Sequence, residues 1–264
     1  MSCEIEEHIA AVEAAYAPLI TGENSQLDGG AKLWGQFTDA VASYRKRGGT
    51  TFAAVYERIN ELAIARILLE DSSLMSCRIL YEPKITADDR RIDFVVPDAD
   101  ASILYIEVRT VRPTAKDTEQ NWHKYEERLE RHTANVKYVV EQEWMGAAIY
   151  GNSFSARSKF MEYVCDFEPR LANANMVQPG RGLLVFCGTG MEWDRSKLED
   201  FADFYRTGKH RQDDPFAAME AEALRDCGKP LQRNVAAFGF LKRRMVSTTG
   251  QEWTANVRGP TRFR

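Results

Sequence analysis

Apolar and polar residues alternate in three short runs between residues 77 and 109, and this stretch organises the rest of the chain. Cys77–Ile85, Arg91–Val96 and Ile103–Arg109 are rich in β-branched and aromatic residues spaced as in extended strands. Turn-forming stretches separate them, Thr86-Ala87-Asp88-Asp89-Arg90 and then Pro97-Asp98-Ala99-Asp100-Ala101-Ser102. The pattern predicts an antiparallel three-strand meander. One face collects Ile79, Tyr81, Ile85, Ile92, Phe94, Val96, Leu104, Ile106 and Val108, and must pack on a core. The other face carries Leu80, Val95, Ile103 and Tyr105 at one end, and Glu82, Lys84, Arg91, Asp93, Glu107 and Arg109 at the other. A solvated face would be polar along its length. A helix over the apolar end and a charged cleft at the other is the arrangement this split predicts.

Helical periods surround the meander. Residues 4–46 read as two helices joined by Thr21 to Gly30; cations and glycine in Arg45-Lys46-Arg47-Gly48-Gly49 stop the second. Residues 52–70 form a helix with Val55, Ile59, Leu62 and Leu69 as apolar positions. After Pro113, the capping box Asp117-Thr118-Glu119-Gln120 opens a long helix to about Trp144. A short segment from Gly146 to Gly151 precedes a helical stretch over 155–175, and Gly182 to Cys187 is an apolar fourth strand. Asp194 caps a helix to Tyr205, Asp214-Pro215 opens another that Gly228 ends, and Asn234 to Leu241 is a fifth strand. The basic tail, Arg258 to Arg264, is expected to be mobile. This order predicts an α/β (α+β) fold, a mixed central sheet flanked by helices. Residues 1–49 form an N-terminal helical segment and 50–264 the core with a C-terminal extension, the two separate or continuous.

Composition narrows the function classes. The chain has 264 residues, 44% of them hydrophobic and 28% charged, with a net charge of −4. That balance argues against non-specific nucleic-acid binding through global charge and leaves only local basic surface. No apolar run reaches the ~20 residues that span a bilayer. The N-terminus lacks a signal-peptide pattern, and five scattered cysteines show no metal-ligand spacing, so a cytoplasmic protein with reduced thiols is expected. Neither GxGxxG nor a Walker motif occurs, which excludes the usual dinucleotide and nucleotide folds.

Candidate chemistry comes from the charged end of the meander. A hairpin centred near Asp100 places Asp93 opposite Glu107, roughly 5 Å apart. A turn centred near residue 87 or 88 sets Glu82 beside Asp93. Glu107 and Arg109, two apart on one strand, project together. Acids this close can share one divalent metal ion. A one-residue slip would undo the register, and the same side chains could instead form a surface charge ladder.

These residues resemble the PD-(D/E)xK nuclease superfamily, whose restriction-endonuclease-like core is a helix, three strands, a helix and a further strand. Asp93 matches the second-strand acid, Glu107-Val108-Arg109 the E-x-K position, and Glu61, with Glu57 one turn earlier, the acid of the first helix. The resemblance covers roughly residues 52–190. A literal Pro97-Asp98 also occurs, but Asp98 lies at the loop end of the hairpin, ~17 Å from the partner of Glu107. The chain departs from the family at Arg109, which replaces the lysine and cannot serve as a base.

The resemblance implies a nuclease using Mg²⁺ or Mn²⁺, with DNA the substrate ahead of RNA. Asp93, Glu107, the Val108 carbonyl and Glu82 would be the metal donors, and Glu61 would hold a second metal or a metal-bound water. Arg109 or Lys84 would stand beside the attacking water, with Lys124 a further source of the missing amine. Lys124, Arg128 and Arg131 form a basic stripe that could meet phosphate, diluted by Glu126, Glu127 and Glu130 towards an ordinary salt-bridged face. Many nucleases of this fold are dimers, so a homodimer stays open. The competing expectation is a catalytically degenerate member serving as a nucleic-acid-binding or protein-interaction module, with Arg109 marking lost hydrolysis.

Overall fold

The computed structural model describes residues 2–22, 25–47, 53–74, 77–85, 91–97, 103–111, 148–188, 195–209, 225 and 231–242. Its elements, in chain order, are α1 Ser2–Thr21, β1 Leu27–Asp28, α2 Gly30–Lys46, α3 Ala53–Glu70, β2 Ile79–Tyr81, β3 Phe94–Pro97 and β4 Ile103–Val111. There follow α4 Ala148–Val177, β5 Gly180–Gly188, α5 Arg195–Thr207 and β6 Val235–Lys242. The six strands form one mixed sheet in the order β1-β2-β3-β4-β5-β6. β2, β3 and β4 pair antiparallel, the expected meander. β5 lies parallel to β4, and β6 parallel to β5. Parallel neighbours need a crossover, and α4 and α5 lie in the two connections.

Each face of the sheet buries its own apolar cluster. On one face Ile79, Phe94, Val96, Ile106, Val108 and Val185 meet Ile9, Leu33, Phe37, Val55, Ile59 and Leu62 of α1 to α3. On the other, Val95, Tyr105, Leu184, Phe186 and Phe238 meet Phe160, Val164, Phe167 and Leu171 of α4 and Phe201 and Tyr205 of α5. Gly182 lets α4 come close: a Cβ there would lie 2.3 Å from Leu171 Cδ2 and 3.2 Å from Phe167 Cε1.

The departures from the sequence pattern are local. Ile85 and Ile92, expected on the face of Phe94, pack instead into the cluster under α4. The chain bends at Asp93, so regular alternation begins only at Phe94. The linker between α1 and α2 contributes β1, too short for any periodicity to reveal. α4 starts at Ala148, running through the region read as a separate segment, and carries Pro169 inside it. The expected helix over 117–144, the one over 214–228 except for Arg225, and the basic tail lie outside the described residues. Among the described residues, no helix is long and apolar enough to cross a membrane.

Candidate active site

The hairpin register brings the two acids together. β3 and β4 pair from Pro97 opposite Ile103 to Phe94 opposite Ile106, and the same register continued one step sets Asp93 against Glu107. Tyr81 pairs with Phe94, and the Glu82 amide donates to the Asp93 carbonyl at 2.8 Å. Both strand registers therefore agree with the turn centres read from the sequence. At Asp93 the backbone leaves the ladder. Its side chain takes over as acceptor, receiving the Val108 amide on Oδ2 at 2.7 Å; a buried strand N–H left unpaired would be costly.

Glu107 projects towards α4 and is 1% exposed. Arg170 grips it with two bonds, Nη1 to Oε2 at 2.9 Å and Nη2 to Oε1 at 2.8 Å. Arg109 Nη2 lies 2.6 Å from Glu107 Oε1 and 2.8 Å from Asp166 Oδ2. The Arg109 guanidinium also sits over the Tyr163 ring, 5.6 Å from its centre. Arg170 reaches Asp166 Oδ2 and the Arg91 carbonyl, each at 2.8 Å. The expected cleft at this end of the sheet is thus roofed by α4, which supplies Tyr163, Asp166 and Arg170. Of the charged row read from the sequence, Glu107 is buried, while Lys84 and Arg91 are exposed.

The charges are crowded. Burial, then Glu107, then Glu61 push the Asp93 carboxyl well above the usual carboxylate range, against the Val108 amide and Arg109. Burial works against the Arg170 charge, but Glu107 and Asp166 outweigh it and hold the guanidinium above its usual range. Glu61, 8% exposed on α3, accepts from the Tyr81 hydroxyl at 2.6 Å and from Arg58 Nη1 at 2.7 Å. Burial pushes its carboxyl up too, against Arg58 and Tyr81. Burial and Glu61 in turn push the Tyr81 phenol above its ordinary range.

The remaining expected residues are dispersed. Glu82 stands beside Asp93 along the backbone, yet its φ of +42° takes it out of strand geometry. Its carboxylate pairs with Lys32 Nζ at 2.5 Å and accepts from Gln36 Nε2 at 3.3 Å, both on α2. It therefore sits on the side opposite to the one strand alternation predicts. Lys84 is exposed in the irregular segment after β2, and Glu57 is exposed on α3. Lys124, Arg128 and Arg131 lie outside the described residues.

Arg170 and Asp166 are the functional candidates that sequence reasoning missed. Arg170 falls three residues after Phe167 and four before Ala174, on the apolar stripe of α4. A cation on such a stripe, with an acid one turn earlier, signals a buried partner on the facing element. Which element that is depends on the tertiary fold.

Among the described residues no three His, Cys, Asp or Glu side chains surround a common point. Asp93 and Glu107 offer carboxylate oxygens, the donor type a hard divalent cation takes, with Asp93 Oδ2 accepting the Val108 amide and both Glu107 oxygens held by arginine. The cation that Glu107 holds here is a guanidinium. Comparison with protein-family models, with curated proteins and with solved structures returned no match.

Proposed function

We propose that this chain is a metal-dependent nuclease that cleaves phosphodiester bonds, built on a restriction-endonuclease-like core. One observation carries the reading: Asp93 lies just past the last β3–β4 pair, Phe94 with Ile106, and its carboxylate accepts the amide of Val108, the residue after Glu107. The element order α3, β2-β3-β4 meander, α4 and parallel β5 is consistent with that core. Asp93 and Glu107 are the residues that would hold Mg²⁺ or Mn²⁺. When bound, such an ion supplies Lewis-acid polarisation of the phosphate and lowers the pKa of a coordinated water.

The rest is done by the chain itself. A guanidinium cannot serve as a base, so the part of Arg109 is to neutralise charge on phosphate oxygens while Tyr163 and Asp166 hold it in place. Burial, then Glu107 and Glu61, give Asp93 a raised proton affinity, which a bound cation would oppose. DNA as substrate ahead of RNA rests on the resemblance alone.

A second reading has its own observation. Both Glu107 oxygens are already paired with guanidinium groups under α4, which favours a non-hydrolytic member of the fold that binds nucleic acid or protein.

Incubating the purified chain with single- and double-stranded DNA and RNA, in Mg²⁺ and then Mn²⁺, separates the two. The nuclease reading expects cleavage that disappears in Asp93→Asn and Glu107→Gln, with circular dichroism unchanged. Absence of cleavage by the wild type in either metal hands the site to the second reading.

A further inference from the structure

We propose that Arg170 is a built-in cation of this site, that it and a divalent ion compete for Glu107, and that it thereby sets how tightly the acid pair takes metal. The inference rests on the nuclease reading for the site's place, and on the ion network for its content.

The competition follows from geometry. Arg170 occupies both Glu107 oxygens, at 2.8 and 2.9 Å, and Arg109 adds a further contact to Oε1 at 2.6 Å. A Mg²⁺ ion sits about 2.1 Å from its ligand oxygens, so it could not bind either oxygen without meeting guanidinium nitrogens bearing the same sign of charge. Arg170 does not yield easily. Its side chain is 8% exposed and is held from further sides by Asp166, the Arg91 carbonyl and the Phe167 ring.

Charge balance points the same way. In the paired arrangement Glu107 and Asp166 are matched by Arg109 and Arg170. Adding a divalent ion overcharges the site even with Asp93 ionised. Without Arg170, Glu107 and Asp166 face Arg109 alone, and net negative charge remains to attract a divalent cation.

Arg170→Met removes the charge while keeping an unbranched apolar stem of similar course. The test is titration of the full chain with Mn²⁺, followed by calorimetry and by thermal melting against an EDTA control. Arg170→Met should bind Mn²⁺ about tenfold more tightly than the wild type, or more, and gain a Mn²⁺-dependent rise in melting temperature. Adding Glu107→Gln to it should abolish the gain.

Arg170→Lys offers a point charge in place of the two-pronged grip. Should the Met variant fail to fold, the Lys variant should still bind Mn²⁺ more tightly than wild type. A folded variant of either kind that binds Mn²⁺ no more tightly than the wild type overturns the proposal, as does a gain that survives Glu107→Gln. The two readings fail separately. Tighter Mn²⁺ binding by Arg170→Met with no nuclease activity in any variant supports the built-in cation and sinks the nuclease. Wild-type cleavage lost in Asp93→Asn, with no affinity gain on replacing Arg170, does the reverse.

Discussion

Replacing Glu107 with glutamine tests whether this acid lies in a closed ion network or in an open cleft. Glu107 is 1% exposed and Arg170 is 8% exposed, so the substitution leaves a buried guanidinium facing an amide. One Arg170 bond can persist to the amide oxygen, while the other N–H now meets an NH₂ group. Removing one partner of a buried pair costs about 3–5 kcal/mol. Asp166, 52% exposed, still pairs with Arg170 and bears part of the charge, which places the expected loss near the lower end, about 3 kcal/mol. Urea unfolding followed by circular dichroism measures it directly, as a lower midpoint with an unchanged slope. The double substitution Glu107→Leu with Arg170→Leu removes both charges together and should return to within about 1 kcal/mol of the wild type. A loss under about 1 kcal/mol for Glu107→Gln alone would refute the argument, since surface pairs behave that way.

Two further outcomes follow from the same packing. Asp93 holds its proton more tightly in the fold than in the unfolded chain, so stability falls as pH climbs above the ordinary carboxylate range, by up to about 1.4 kcal/mol per pH unit. Asp93→Asn keeps an oxygen for the Val108 amide and cannot ionise. It should melt above the wild type at neutral pH, with the gap closing towards about pH 4; a gap independent of pH would contradict the raised proton affinity of Asp93. Gly182→Ala drives a methyl group into Leu171 and Phe167 and should cost about 1–3 kcal/mol in urea titration. Gly35→Ala, with nothing within 4 Å of the new Cβ, should instead gain about 0.5–1 kcal/mol; equal effects at the two sites would refute the close approach of α4.

Much of the meander was legible from residue order alone. Period-2 alternation named the faces that Phe94, Val96, Ile106 and Tyr105 occupy, and two turn centres set the registers that bring Asp93 beside Glu107. Those are local properties, fixed by pleat and turn length within thirty residues of chain. Glu107 and Arg109 shared a face for the same reason and are in contact. Alternation failed where the backbone left strand geometry, at the positive φ of Glu82 and the bend at Asp93, because neither Ile92 nor Glu82 then follows the pleat.

What covers the acids was not legible. Arg170 is 63 residues from Glu107, and its position over β4 depends on the crossover, on the parallel pairing of β5, and on a glycine at 182 that lets the helix descend. No local period encodes those distances. Sequence by itself determined that two carboxylates and an arginine would meet at one end of a hairpin. Only the tertiary structure decided that they would meet under a helix, where lost solvation turns a row of surface charges into a network that must neutralise itself.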